Sequence, residues 1–430
     1  MDYQDKYIKY KTKYLELKNA NINNQIGGGN LNFMKNLIKK ANIPGLSISI
    51  IENGKTNNYI FGVSDNDTKK KINNYTIYIS ASLSKPVFSY CILKLVEQKI
   101  LDLDKPLSEY VNLGKIDKIY IMDKRFNKIT TRMILSHTSG LGNIGENKIL
   151  FTPGTNFCYS GDGFILLQLI VEKITKKQIN DIIIDNVFTP FNMEDSSFIY
   201  RNKYNKKIIT QHDYNGNTKP YNFNPHTITN AHVAGGLFTT LNDYTKFLIG
   251  LSNDKSIINM MLEEQIKLNN NIFWGLGVPI EIINNKKMIW HWGDNFNFRH
   301  FFIYDPINLN GFVLFTNSYN GLSIIDKISE KIFNIKYKAV LELKKLTEGR
   351  YLHEQYNNPL RIERLLILDT FMISGTEKGI DKLKKWIDKL KIKDKQGQLN
   401  ALVEDFKAIF QVWDNPQDNE FINAITKLYL

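Results

Sequence analysis

The run Ser82-Leu83-Ser84-Lys85 carries residue types that can do chemistry, and an apolar stretch from Val87 to Ile100 follows it. A serine and a lysine three apart at a helix start lie one turn apart on the same face. The lysine amine then sits beside the hydroxyl and can take the proton that keeps serine a poor nucleophile. Free backbone N–H groups at the helix N-terminus can hold a developing oxyanion. The spacing alone is weak. Ser252-Asn253-Asp254-Lys255 repeats it in a polar stretch with no apolar helix behind it, and reads as a solvated loop.

Two further segments could serve such a serine. Phe157-Cys158-Tyr159-Ser160-Gly161-Asp162-Gly163 follows Pro153-Gly154 and precedes the apolar run Phe164–Val171. A tyrosine on that turn can enter a cleft, and a phenol beside cations can release its proton and act as a base. The alternative is a packed ring with its hydroxyl on backbone. Trp290-His291-Trp292-Gly293-Asp294 ends a predicted strand. Gly293 would let a substrate approach the backbone, and His291 can supply a hydrogen bond or a charge. The alternative is a histidine held between two tryptophans in a sheet. His137, within Leu135–Leu141, reads as a structural group bonding loop backbone, and Ala234-Gly235-Gly236-Leu237 as a tight apolar turn.

The elements that must position these residues suggest an α+β domain. A strand at Pro44–Ile51, a turn at Glu52-Asn53-Gly54 and a partner at Asn58–Val63 form a hairpin. Helices and loops fill Asp102 to Tyr221. Strands return near Phe273–Ile282, Met288–Trp292, Phe298–Tyr304 and Phe312–Thr316, with turn chemistry at Asn284-Asn285 and Asn308–Asn310. Strands at both ends around a helical insert imply one antiparallel sheet, flanked by helices, that joins the N- and C-terminal strands. Three regions follow: an amphipathic leader and Gly27-Gly28-Gly29 linker over 1–29, the main domain over 30–336, and a helical C-terminal region over 337–430. In the leader, Tyr3, Tyr7, Tyr10, Tyr14 and Leu17 form an aromatic stripe among lysines. It suits a protein partner or an anionic surface through residues 1–20, or packing on its own domain. The leader is similar to the Tyr/Lys-rich openings of giant-virus proteins.

Composition excludes several classes. The 430 residues are 43% hydrophobic and 23% charged, enough for at least one large core. The net charge of +13 reads as lysine spread over the surface, since no zinc finger, RNA-recognition signature or Arg-rich stripe accompanies it. Specific nucleic-acid binding is not expected. Cys91 and Cys158 make no disulfide framework and read as core residues. No CxxC or HExxH occurs, so neither a metal nor another cofactor is expected. No apolar run reaches bilayer length and no signal-peptide core opens the chain. The expectation is a soluble intracellular protein, in a host cytoplasm or virion if viral.

Together, Ser82/Lys85, then Tyr159, then His291-Trp292-Gly293 resemble the serine β-lactamase and penicillin-binding-protein superfamily. The nearest branch is the class C β-lactamase-like group with its esterases and D-aminopeptidases. Pro44-Gly45-Leu46, Leu103–Leu107, Ile129-Thr130, Leu135–Leu141, Pro153-Gly154, Gly235-Gly236-Leu237 and Gly275-Leu276-Gly277 match in order over about 300 residues, Leu31 to Asn317. The resemblance implies Ser82 as nucleophile and Lys85 with Tyr159 as general base and acid. It implies His291 as the group that binds a substrate carboxylate or polarises Tyr159, and the N–H groups of Ser82 and Asp294 as the oxyanion hole. Two departures bear on substrate. Gly161 stands where β-lactamases usually have an asparagine that holds the substrate amide, and His291 stands where lysine is usual. Both favour an acyl-enzyme hydrolase of a small ester or amide. The alternatives are a β-lactamase or D,D-peptidase, and a catalytically retired fold serving as an interaction or virion component.

Overall fold

The structure, a computed structural model, describes residues 28–117, 122–143, 148–213, 215–221, 224–295, 297–335, 337–339, 367, 376–390 and 395–410. The leader stripe from Tyr3 to Leu17 lies outside them. Gly28 and Gly29, read as linker, instead open a helix, Gly28–Lys40. Two compact units divide the chain, Met1–Ile38 with Ile43–Leu322, and Lys39–Asn42 with Ser323–Leu430.

The first unit is built on an eight-stranded sheet. Its strands are β1 (Gly45–Glu52), β2 (Lys55–Gly62), β7 (Ile266–Lys267), β8 (Ile272–Trp274), β9 (Pro279–Ile283), β10 (Lys286–Asp294), β11 (Arg299–Asp305) and β12 (Asn310–Thr316). They run in the order β2-β1-β12-β11-β10-β9-β8-β7. Strand β1 pairs antiparallel with β12, Leu46 opposite Thr316 and Ile50 opposite Phe312, so the two ends of the domain meet as the patterning implied. Local turn chemistry sets the hairpins. Asn284 and Asn285 both adopt positive φ, which asparagine tolerates, and they close β9 onto β10. The predicted strand Phe273–Ile282 is interrupted between β8 and β9. Gly277 there has φ +86°, and a Cβ on it would sit 2.0 Å from Ser89 Oγ, so the chain can pass only as glycine.

Between β2 and β7 lies the helical insert, with short strands β3 (Tyr78–Ile79), β4 (Gln211–His212), β5 (Thr218–Lys219) and β6 (Phe238–Thr239). Its main helices are Ser84–Glu97, Gly161–Thr175 and Leu241–Asn253. The Ser84–Glu97 helix is apolar nearly all round because it crosses the core: Val87, Phe88, Cys91, Ile92 and Leu95 pack with Phe164, Leu167, Phe247, Phe302 and Phe315. Burial pushes the Cys91 thiol pKa up, which suits the inert core residue expected. Ser252 corrects an expectation. It is no solvated loop but a buried residue of the Leu241–Asn253 helix, its hydroxyl 3.2 Å from Leu248 O and 3.0 Å from the Tyr304 hydroxyl. Back-bonding to the preceding turn lets a serine continue a helix that Phe247, Leu248 and Leu251 anchor in the core.

The second unit is helical over its described residues, with Ile325–Phe333, Thr376–Lys389 and Lys395–Phe410. Leu383, Trp386, Ile387 and Leu390 are buried, the helical face their spacing predicts, while Lys384, Lys385 and Lys389 are exposed. Among the described residues no helix is long and apolar enough to cross a membrane.

Tyr244 ties this core to the Ser82 turn, since its buried hydroxyl donates to Leu83 O at 2.9 Å. Tyr244→Phe should lower stability by about 1 kcal/mol in urea unfolding, the cost of one buried hydrogen bond, without changing the m-value.

Candidate active site

Ser82 sits in a 3-10 turn, Ala81–Leu83, that runs directly into the Ser84–Glu97 helix. Ala81 before it has φ +47°, a left-handed conformation that costs an alanine about 1–2 kcal/mol. Packing holds the strain. Ser80 N–H donates to Leu237 O at 2.8 Å, and Leu237 N–H donates to Ser84 Oγ at 3.0 Å. Ser82 as a residue is only partly buried.

Lys85 is only 2% exposed. Its ammonium donates to Ser82 Oγ at 3.1 Å and to Ala234 O at 2.7 Å. The Tyr159 ring lies beneath it, 4.7 Å from Nζ to the centroid, and the negative ring face stabilises the cation. The one-turn spacing of the sequence therefore becomes a contact.

Tyr159 is 3% exposed and stands on a loop with strong supports. His137 stacks on its ring at 4.2 Å, and His137 Nδ1 accepts the Ser160 N–H at 2.9 Å. Cys158 N–H donates to His137 O at 2.8 Å, and Gly154 N–H to Thr138 O at 2.7 Å. Ser160 Oγ caps the Gly161–Thr175 helix by accepting Gly163 N–H at 2.8 Å. Gly161 N–H donates to Asn143 Oδ1 at 2.9 Å. His137 is thus the structural residue it was read as, and it acts on the tyrosine loop itself.

His291 is fully buried on β10. Its Nδ1 lies 2.8 Å from Trp292 O, so that nitrogen carries the ring proton. Trp292 stacks on it at 5.0 Å, Trp274 meets it edge-on at 5.9 Å, and the Tyr159 ring is 6.1 Å away. Gly293 brings β10 against the Ser82 turn. A Cβ at Gly293 would lie 2.4 Å from Ser80 O and 3.4 Å from Ala81 Cβ. Asp294 follows at the strand end, its Oδ2 3.2 Å from Arg299 Nε, and the Arg299 guanidinium covers the Tyr319 ring at 3.9 Å. The structure thus brings Ser82, Lys85 and Tyr159 together, with His291 beside Tyr159 and Gly293 beside the Ser82 turn.

The family model "Beta-lactamase" matches residues 32–328. The chain belongs to the β-lactamase family. This family member is 24% identical over 375 residues to protein flp of Staphylococcus aureus strain MW2, covering 79% of this chain and 72% of that one. Its fold is similar to that of an octameric penicillin-binding protein homologue from Pyrococcus abyssi, at TM-score 0.61 and 22% identity over 75% of this chain and 82% of that one. The D-alanine carboxypeptidase AmpC from Burkholderia cenocepacia matches at TM-score 0.57 and 16% identity, over 66% and 91% of the two chains. A class C β-lactamase matches at TM-score 0.55 and 16% identity, over 66% of this chain and 89% of that one.

Three residues of this β-lactamase-family site escaped the sequence reading. Trp274 packs edge-on to His137, Tyr159, His291 and Trp292 at once. Asn143 anchors Gly161. His232 opens the turn whose Ala234 carbonyl holds Lys85. The Gly275-Leu276-Gly277 and Ala234-Gly235-Gly236 runs beside Trp274 and His232 were the available signals, since glycine pairs mark close backbone approach.

Gly293→Ala should cost about 1–3 kcal/mol in urea unfolding, because backbone and not a flexible side chain meets the added methyl. An unchanged midpoint would mean that β10 does not press on the Ser82 turn.

Proposed function

We propose that the protein is a serine hydrolase that acts on a small ester or amide through an acyl-enzyme at Ser82. The carrying observation is the Lys85 amine 3.1 Å from Ser82 Oγ, held over the Tyr159 ring. Ser82 Oγ attacks the acyl carbon while its proton passes to the Lys85–Tyr159 pair, in which the Tyr159 oxygen, a phenolate beside the Lys85 ammonium, is the net acceptor, and the pair then acts as acid to the leaving group. The backbone N–H groups of Ser82 and Asp294 stabilise the oxyanion, each worth roughly 3 kcal/mol of barrier. The leaving alcohol or amine takes the proton, and water then cleaves the Ser82 ester. His291 orients or polarises Tyr159 from its aromatic enclosure.

Two features favour this substrate class over a β-lactam or an acyl-D-alanine peptide. Gly161 offers no carboxamide for a substrate amide, and its N–H is already donated to Asn143. Histidine at 291 is not the permanent cation that a substrate carboxylate calls for. The D-alanine carboxypeptidase and class C β-lactamase folds support the rival reading, and nitrocefin turnover at ordinary efficiency would establish it instead. Absence of all ester, amide and lactam activity, with tight partner binding by residues 1–20, would favour a retired fold.

Intact mass after treatment with a fluorophosphonate should show one adduct on the wild type and none on Ser82→Ala. An adduct that persists in Ser82→Ala overturns the assignment. Tyr159→Phe should lower kcat/KM for p-nitrophenyl acetate by roughly 100-fold or more, the usual worth of general acid–base catalysis.

A further inference from the structure

We propose that Arg299 is a positioning residue for the oxyanion hole: it grips the Asp294 carboxylate on one face of the sheet and so fixes the Asp294 N–H at the edge that meets the Ser82 turn. The inference rests on the acyl-enzyme reading above and gives it a residue it does not use.

The direction of the Asp294 N–H follows from the β10–β11 hairpin. Asn295 N–H donates to Phe298 O at 3.2 Å, toward β11. Successive N–H groups of a strand alternate between its two edges, so the Asp294 N–H is directed away from β11. On that other edge β9 pairs β10 only over Lys286–Ile289. The end of β10 thus turns the Asp294 N–H toward an edge that β9 does not cover. The same stretch presses on the Ser82 turn, where a Cβ at Gly293 would lie 2.4 Å from Ser80 O.

The Asp294 side chain goes the other way. Neighbouring side chains on a strand take opposite faces, and the Gly293 Cβ direction points at Ser80 and Ala81. The Asp294 carboxylate therefore lies on the face away from the Ser82 turn. Its register partner on β11 is Arg299. By the same alternation the two form a non-hydrogen-bonded pair, the kind whose side chains stand closest. Arg299 Nε lies 3.2 Å from Asp294 Oδ2, and the side chains are only 14% and 6% exposed.

A grip on Asp294 requires that the arginine itself be held. Its guanidinium covers the Tyr319 ring at 3.9 Å. Tyr319 N–H donates to His212 O at 3.0 Å, and Thr316 Oγ1 donates to Arg299 O at 2.7 Å. The cation is thus anchored to the end of β12 and to the His212 segment before it reaches Asp294. Sheet pairing from β9 ends at Ile289, and this enclosed ion pair adds a constraint at the strand end. Removing one partner of a buried pair is costly, so without Arg299 the carboxylate turns toward water and draws its backbone with it. An oxyanion donor works only within hydrogen-bond distance of the charge that develops, so a small displacement weakens the transition state far more than the bound ester.

The test compares the full-length wild type with Arg299→Gln and Arg299→Lys on p-nitrophenyl benzoate and on its thionoester, in which sulfur replaces the carbonyl oxygen. Sulfur accepts hydrogen bonds poorly, so an ordered oxyanion hole favours the oxygen ester. In Arg299→Gln, kcat/KM for the oxygen ester should fall roughly 10- to 100-fold, while that for the thionoester stays within about 3-fold. The preference for oxygen then shrinks. Arg299→Lys keeps a cation beside Asp294, should shrink the preference less, and gives the reading if Arg299→Gln does not fold. Equal losses on both esters, with the preference unchanged, would mark Arg299 as purely structural and overturn the proposal. Unchanged rates on both would overturn it as well. Failure of the wild type to label at Ser82 with a fluorophosphonate would instead sink the acyl-enzyme reading, and this inference with it.

Discussion

The site depends on one buried ammonium. A lysine amine stripped of water must find acceptors, because an unpaired buried charge costs several kcal/mol. Lys85 has among its partners the Ser82 hydroxyl, the Ala234 carbonyl and the face of Tyr159. Each belongs to a different segment, so satisfying the lysine fixes the 3-10 turn, the His232–Leu237 turn and the tyrosine loop against each other. The same bonds that stabilise the charge set the distances the proposed chemistry requires.

Around that charge the protein spends conformational strain and rigid packing. Ala81 is held in a left-handed conformation that only the surrounding bonds enforce. Gly293 allows β10 to press against Ser80 and Ala81, and no side chain fits there. Below Tyr159, His137, Trp274 and Trp292 form an aromatic floor that leaves the ring little freedom. A flexible phenol would give up rotamer entropy on each turnover, and this one has already lost it on folding.

The sequence made the frame legible where local chemistry decides structure. The β1–β2 hairpin, the Asn284-Asn285 turn and the last three strands follow from patterning and turn residues, and the β1–β12 pairing follows from strands at both ends of a helical insert. The Ser82–Lys85 contact was legible because a helix turn fixes it. What hid was set by tertiary contact. Ser252 looks solvated in its polar neighbourhood, and only Tyr304, 52 residues on, reveals its burial. Strands β3 and β6 are two residues long and pair across 160 positions, below any periodicity. Trp274 and His232 carry no local pattern, because their partners arrive from other elements.

If the protein acts as proposed, substrate choice follows from the enclosed part of the site. Lys85, Tyr159 and His291 are sealed from solvent, so they meet only the acyl group and its leaving atom. The departures from the β-lactamase pattern lie in that sealed part: Gly161 adds no amide and His291 adds no fixed charge. Under the proposed mechanism, a substrate with little to recognise beyond its carbonyl would lose least there, whereas a β-lactam or a peptide would lose its amide clamp and its carboxylate partner. A site built to hydrogen-bond a substrate group rejects an analogue lacking that group by orders of magnitude, because its buried polar groups are left unpaired, but a site without such groups imposes no such cost. On the proposed reading, Gly161 and His291 therefore favour plain esters over peptides, since neither supplies the amide clamp or the fixed charge that a peptide substrate would use.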